Sequence, residues 1–166
     1  MDQQTVLDVF GFQRHYLSLL VDDIPDEQMT TQPAGFPNHP AWQIGHLTVV
    51  MDNINGMIGG KKTLDESWSG KFGMGSKPVA DRKNYPSKVE LMRTFDERRA
   101  ALSEQYKRAP AHILSGPNPV ARAAQRLPTI GQMVCFLMLS HEATHLGQLS
   151  AWRKAVGMPE ALSKLA

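Results

Sequence analysis

Proline divides the hydrophobic pattern of this chain into four long stretches. The eleven prolines leave the windows 1–24, 41–77, 87–109 and 129–158 free of that residue. A helix cannot run through proline without losing a hydrogen bond and clashing with its preceding turn, so long helices are confined to these windows. In the first, Val6, Phe10, Leu17, Leu20 and Ile24 recur at helical spacing, with Val9 and Val21 beside them, and Pro25 closes it. The second opens on Asn38-His39-Pro40, a cap with proline at the first helical position, and stops at Gly59-Gly60. The third opens on the capping box Ser87-Lys88-Val89-Glu90, carries the stripe Leu91, Phe95, Leu102 and Tyr106, and ends at Ala109-Pro110. The fourth opens on a second capping box, Thr129-Ile130-Gly131-Gln132, and ends at Gly157 before Pro159. The pattern predicts helices over 2–22, 40–59, 87–109 and 130–156, the last about 40 Å long at 1.5 Å per residue.

The segments between them read as connections. Residues 61–85 hold Gly70, Gly73 and Gly75, and 110–128 hold Pro110, Pro117, Pro119 and Pro128. Strand-like alternation is missing throughout. Four long helices with two long crossovers make an all-α fold, a four-helix bundle.

Composition agrees with one soluble globular domain over 1–166: 42% of residues are hydrophobic and 20% charged. No apolar run approaches the roughly 18 residues of a membrane span. The start, Met1-Asp2-Gln3-Gln4, has no basic and apolar leader pattern. The lone Cys135 cannot form an internal disulfide, which makes a cytoplasmic location the default expectation. A formal charge of +2 weighs against a dedicated nucleic-acid binder.

The chemistry concentrates in the histidines. His141 and His145 lie four apart on the fourth helix and so share a face. Val134, Leu137 and Met138 precede them and Trp152 follows, an apolar setting in which two imidazoles form half of a metal site. The spelling His141-Glu142-Ala143-Thr144-His145 is also that of zincin proteases. The metzincin continuation requires glycine and histidine where this chain has Gln148 and Ala151, and Glu160 is the one glutamate after the motif. The expected upstream sheet is missing too, which argues against a protease. A third ligand must come from another helix. His46 shares a face with Trp42, Val49, Asn53 and Met57 and is the leading candidate, with His15 as rival; His39 and His112 read as solvated turn residues.

Other residues carry two readings each. Glu142 either orients a ligand or accepts a proton, or is a surface carboxylate. Gln148 either supports a ligand or bonds a neighbouring helix. Trp42 and Trp152 either wall a pocket or fill the core. Cys135 reads as packing. The pairs Arg98-Arg99 and Lys107-Arg108 read as a solvated face, and Arg82 and Lys83 as cations within reach of a carboxylate substrate.

Trp42…His46-Leu47, His141-x-x-x-His145-x-Gly147-Gln148-Leu149 and Arg153-Lys154-x-x-Gly157-x-Pro159 together resemble the DinB-like superfamily of metalloenzymes, over nearly the whole chain. The resemblance implies an up-down-down-up bundle and a divalent metal ion, zinc, nickel or iron, on His46, His141 and His145. Relatives include S-transferases and isomerases that use low-molecular-weight thiols. It therefore implies a thiol-dependent S-transferase acting on a small-molecule substrate. The alternatives are a metal-dependent hydrolase that activates water, with Glu142 as catalytic base, and a non-catalytic metal-binding or stress-response module. Relatives of this fold, together with apolar residues such as Leu19 and Leu91 left over on helix surfaces, lead to the expectation of a homodimer.

Overall fold

A computed structural model describes residues 2–164; the ends of the expected 1–166 domain lie outside the described residues. Four long helical elements dominate: α1 (Gln3–Val21), α2 (Pro40–Met57), α4 (Lys88–Arg108), and the run of α7 (Ile130–Cys135), a π turn (Phe136–His141) and α8 (Glu142–Ala155). Short helices occupy the connections: α3 (Glu66–Phe72) in the first, α5 (Ala111–Leu114) and α6 (Ala121–Ala124) in the second. Among the described residues no strand forms, and one isolated antiparallel bridge joins Pro117 to Thr129. The predicted helix windows hold, and the crossover 61–85 is more structured than a loop because Asp65 caps α3 by accepting from the Ser67 amide.

Side-chain hydrogen bonds fix the helix directions. Gln3 Nε2 donates to Tyr106 O at 2.7 Å, while Lys88 Nζ reaches Asp22 O and Ile24 O at 2.8 Å each, so α1 and α4 run antiparallel. Gln105 Nε2 donates to Ile58 O at 2.9 Å, which places the C-terminal ends of α2 and α4 together and makes them parallel. Arg153 Nη1 donates to Leu20 O at 2.8 Å, so α8 runs parallel to α1. The order is up-down-down-up. Two parallel neighbours in succession require the long 61–85 crossover.

One core fills the interior. Phe10, Leu17 and Leu20 of α1 meet Ile44, Leu47 and Ile54 of α2, Leu91, Phe95 and Leu102 of α4, and Leu146, Leu149 and Trp152 of α8. Leu91 is thus fully buried and Leu19 packs partly against the core, so neither is a leftover surface patch.

The fourth helix departs from the sequence pattern at its centre. Met133, Leu137, His141 and His145 are spaced by four, and in an uninterrupted α-helix of 3.6 residues per turn such a series drifts around the axis. The wider π turn offsets the drift, and all four line the same cavity. Gln13 of α1, itself buried, donates from Nε2 to Leu139 O within this turn at 2.8 Å.

His39 corrects a second expectation. It is buried, not solvated, because it is the N-cap of α2: its Nδ1 accepts from the Trp42 amide at 3.1 Å. Its Nε2 then donates to Val79 O at 3.1 Å and ties the first crossover to the helix start. Burial pushes this imidazole down from 6.5 to about 4. A histidine held below its unfolded value contributes stability that is fully present above about pH 6.5 and is lost as the pH falls through the folded value. Denaturant melts between pH 7 and 4.5 should therefore show stability falling with pH, and less steeply in His39→Asn, which keeps a capping acceptor without a titrating ring. Equal slopes in the two proteins would contradict this.

Candidate metal centre

The site begins with a close approach of backbone to ring. A Cβ on Gly45 would lie 2.3 Å from the Phe72 ring, so the absent side chain lets the end of α3 sit directly on α2. That approach brings Phe72 O within 2.7 Å of His46 Nδ1. The carbonyl can only accept, so Nδ1 carries the proton and Nε2 presents its lone pair. Trp42 stacks on the His46 ring at 4.7 Å with 7° between planes, and its Nε1 donates to Ser76 Oγ at 2.9 Å. Gln43 orients the second imidazole. Its Nε2 donates to Asn38 O at 3.3 Å, leaving Oε1 facing His145 Nδ1 at 3.4 Å.

The structure brings together the three histidines expected from the sequence. His46, His141 and His145 offer ligand atoms that all lie within 4.8 Å of one another. His46 Nε2 and His141 Nε2 are 3.4 Å apart. Two nitrogens bound at about 2.0–2.1 Å in a tetrahedral arrangement are separated by about 3.3–3.4 Å, so this pair already spans one edge of a metal's coordination shell. Burial holds all three imidazoles below their ordinary value, His141 at about 4 and His145 at about 3, and each is lowered further by charged or imidazole neighbours except His46, where the Phe72 carbonyl opposes the shift. Three neutral imidazoles converging on one point are the donor set that suits zinc, nickel or iron. The residues fit a divalent ion and leave coordination positions open.

The open side faces a cavity of about 640 Å³. Trp42, Val49, Val50 and Met57 of α2 wall one side; Met133, Phe136 and Leu137 wall another. Gly73, Met74 and Gly75 come from the first crossover, and Val120, Arg122 and Ala123 from the second. Both connections thus contribute to the mouth of the site.

The remaining candidates separate. Glu142 is buried, not a surface carboxylate: both its oxygens accept from Arg99 Nη1, at 2.7 and 3.0 Å. Burial pushes its carboxyl up to about 7, with the Arg99 guanidinium opposing the shift. It does not line the cavity. Arg99 is correspondingly no part of a solvated face; it also donates to Phe10 O and lies over the Phe10 ring at 3.4 Å. Arg82 is held by Asp26 and by the carbonyls of Tyr85 and Pro86, and Lys83 is exposed, so neither reaches the cavity. His15 and His112 are exposed. Trp152 is core, donating to Thr31 O at 2.8 Å, and Cys135 packs partly against the core. Gln148 is half-buried away from the cavity lining. Gln43, Gly45 and the Phe72 carbonyl are the supporting groups that sequence reasoning missed. The small residue immediately before His46 was the one available signal for them.

A helical protein that directs two buried histidines and a half-buried one from two helices to one point, beside an open cavity, fits the class of metal-binding proteins. The model of the DinB superfamily matches residues 10–149, and the chain belongs to that superfamily. No curated protein matches it.

If these groups act together, Gly45→Ala should push Phe72 away and weaken metal binding by about 10–100-fold, the usual effect of losing a ligand's outer hydrogen-bond partner. His46→Ala should nearly abolish occupancy, and His15→Ala should leave it unchanged. Metal content after dialysis against a weak chelator measures all three. Full occupancy in His46→Ala would remove that residue from the ligand set.

Proposed function

We propose that this chain is a divalent-metal-dependent enzyme, a thiol-dependent S-transferase acting on a small molecule. Zinc, nickel or iron would be held by His46, His141 and His145. The observation that carries the reading is the convergence of three neutral imidazoles on the wall of a 640 Å³ cavity, within the size range of small-molecule sites. A bound divalent cation there would stabilise a thiolate near neutral pH.

The chain's own residues do the rest. Neutral histidines add no negative charge, so an anionic sulfur is favoured at the open position. The Phe72 carbonyl and Gln43 hold the His46 and His145 rings in one tautomer. Trp42, Val49, Phe136 and Leu137 keep water from the reacting sulfur. In the transfer the thiol proton leaves to solvent, a carbon–sulfur bond forms on the electrophile, and the bond to its leaving group breaks. For hydrolysis with a carboxylate as general base, Glu142 is committed to Arg99 and no other carboxylate lines the cavity among the described residues. We place a cytoplasmic homodimer within the same proposal.

Turnover of an electrophile should require both metal and a low-molecular-weight thiol, and should vanish in His141→Ala and His145→Ala. Replacing the buried pair together, Arg99→Met with Glu142→Leu, should leave the rate per folded molecule within about threefold, because an apolar pair of similar volume substitutes for a buried ion pair at little cost in stability. Thiol-independent ester hydrolysis that falls about 100-fold or more in the folded double variant would replace transfer by hydrolysis with Glu142 as base.

A further inference from the structure

The cavity beside the histidines carries one cation of its own. Among the described residues that line it, Arg122 is the single side chain with a permanent charge, and no carboxylate accompanies it. It stands on α6, in the second crossover, and its exposed side chain rests against Met74 of the first. No carboxylate pairs with it or with Arg126 among the described residues, whereas Arg14, Arg82, Arg93, Arg98, Arg99, Arg108 and Arg153 each have an acidic partner.

The rest of the lining has a different character. Val49, Val50 and Met57 of α2, Met133 of α7 and Phe136 and Leu137 of the π turn make most of it apolar, with the uncharged polar side chains of Asn38, Asn53, Ser69 and Ser76 beside them. A ligand that fills this space satisfies both features only if it has an apolar body and an anionic group. A purely polar anion would leave the wall wet. A purely apolar molecule would cover the guanidinium without replacing its hydration. At the mouth Gly73 and Gly75 present no side chain.

We propose that the cavity selects apolar carboxylates, with Arg122 as the specificity-determining residue that receives the carboxylate. The proposal rests on the metalloenzyme reading above and narrows its electrophilic substrate to a molecule carrying such a group. Arginine is suited to the role because its planar fork offers two parallel donors to a carboxylate.

The test compares 2-naphthoate with its neutral counterpart 2-naphthamide by titration calorimetry, on the protein as purified and after chelation. Chelation removes the metal as an alternative seat for the carboxylate. The wild-type protein should bind naphthoate about tenfold more tightly than naphthamide in both forms, as expected for one charge-assisted pairing at the edge of an apolar site. Arg122→Gln should bring the two ligands to equal affinity and leave naphthamide binding unchanged, which shows that the cavity is intact. Arg122→Lys should recover part of the preference. Equal affinities in the wild type, a preference that survives Arg122→Gln, or no binding of either compound would overturn the proposal. The metal reading is scored separately. If His145→Ala loses the metal and keeps the naphthoate preference, both stand. If the preference disappears on chelation alone, the carboxylate sits on the metal: the site reading stands and the role of Arg122 falls. If the protein binds no metal yet shows the Arg122-dependent preference, the reverse holds.

Discussion

The Phe72 ring lies where a side chain on residue 45 would be, and the centre depends on that contact. It sets how closely the first crossover approaches α2, and with it the position of the one carbonyl that fixes the His46 tautomer. The same crossover is tied to α2 at other points, among them the His39 bond to Val79 O, the Trp42 indole donating to Ser76 Oγ, and Asp52 accepting from the Thr63 amide. Each of these satisfies a buried polar group that would otherwise be costly. A connection that is long for topological reasons thereby becomes a wall of the site.

On the opposite side, the fourth helix must present two histidines to the cavity while burying Glu142 between them and the core. The π turn and the Arg99–Glu142 pair solve this together. The turn keeps Met133, Leu137, His141 and His145 in register with the cavity, and the pair anchors the residue between the two histidines to α4. Arg99 in turn bonds the backbone of α1 at Phe10, so three helices meet at one guanidinium. Removing one partner alone typically costs about 3–5 kcal/mol, because the other charge is then buried without compensation; the pair's role is to hold this register rather than to add net stability.

Much of the architecture was legible in the sequence because proline and capping residues act locally. The four windows, the Ser87 and Thr129 caps and the His141–His145 pair follow from local signals, whereas His46, on a different helix, is a leading candidate beside His15 that the family resemblance singles out. The misreadings share a different cause. Arg99 looks solvated beside Arg98 because its partner is 43 positions away, and Glu142 looks exposed for the same reason. His39 reads as a turn residue until its ring is seen to cap the helix it precedes. The Phe72 carbonyl has no signature of its own, since every residue carries a carbonyl, and Gly45 is its one indirect trace. The π turn leaves a trace in the four-residue spacing of Met133, Leu137, His141 and His145, which becomes informative only when all four are known to face one cavity.

X-ray absorption at the metal edge of the purified protein tests the central claim most directly, because it reports the donor atoms themselves. The account predicts three imidazole nitrogens at about 2.0–2.1 Å with the multiple-scattering features of histidine rings, the remaining positions being filled by light atoms or by sulfur once a thiol is added. A spectrum with no more than one imidazole, or with donors that persist when His46, His141 and His145 are all replaced by alanine, would contradict it.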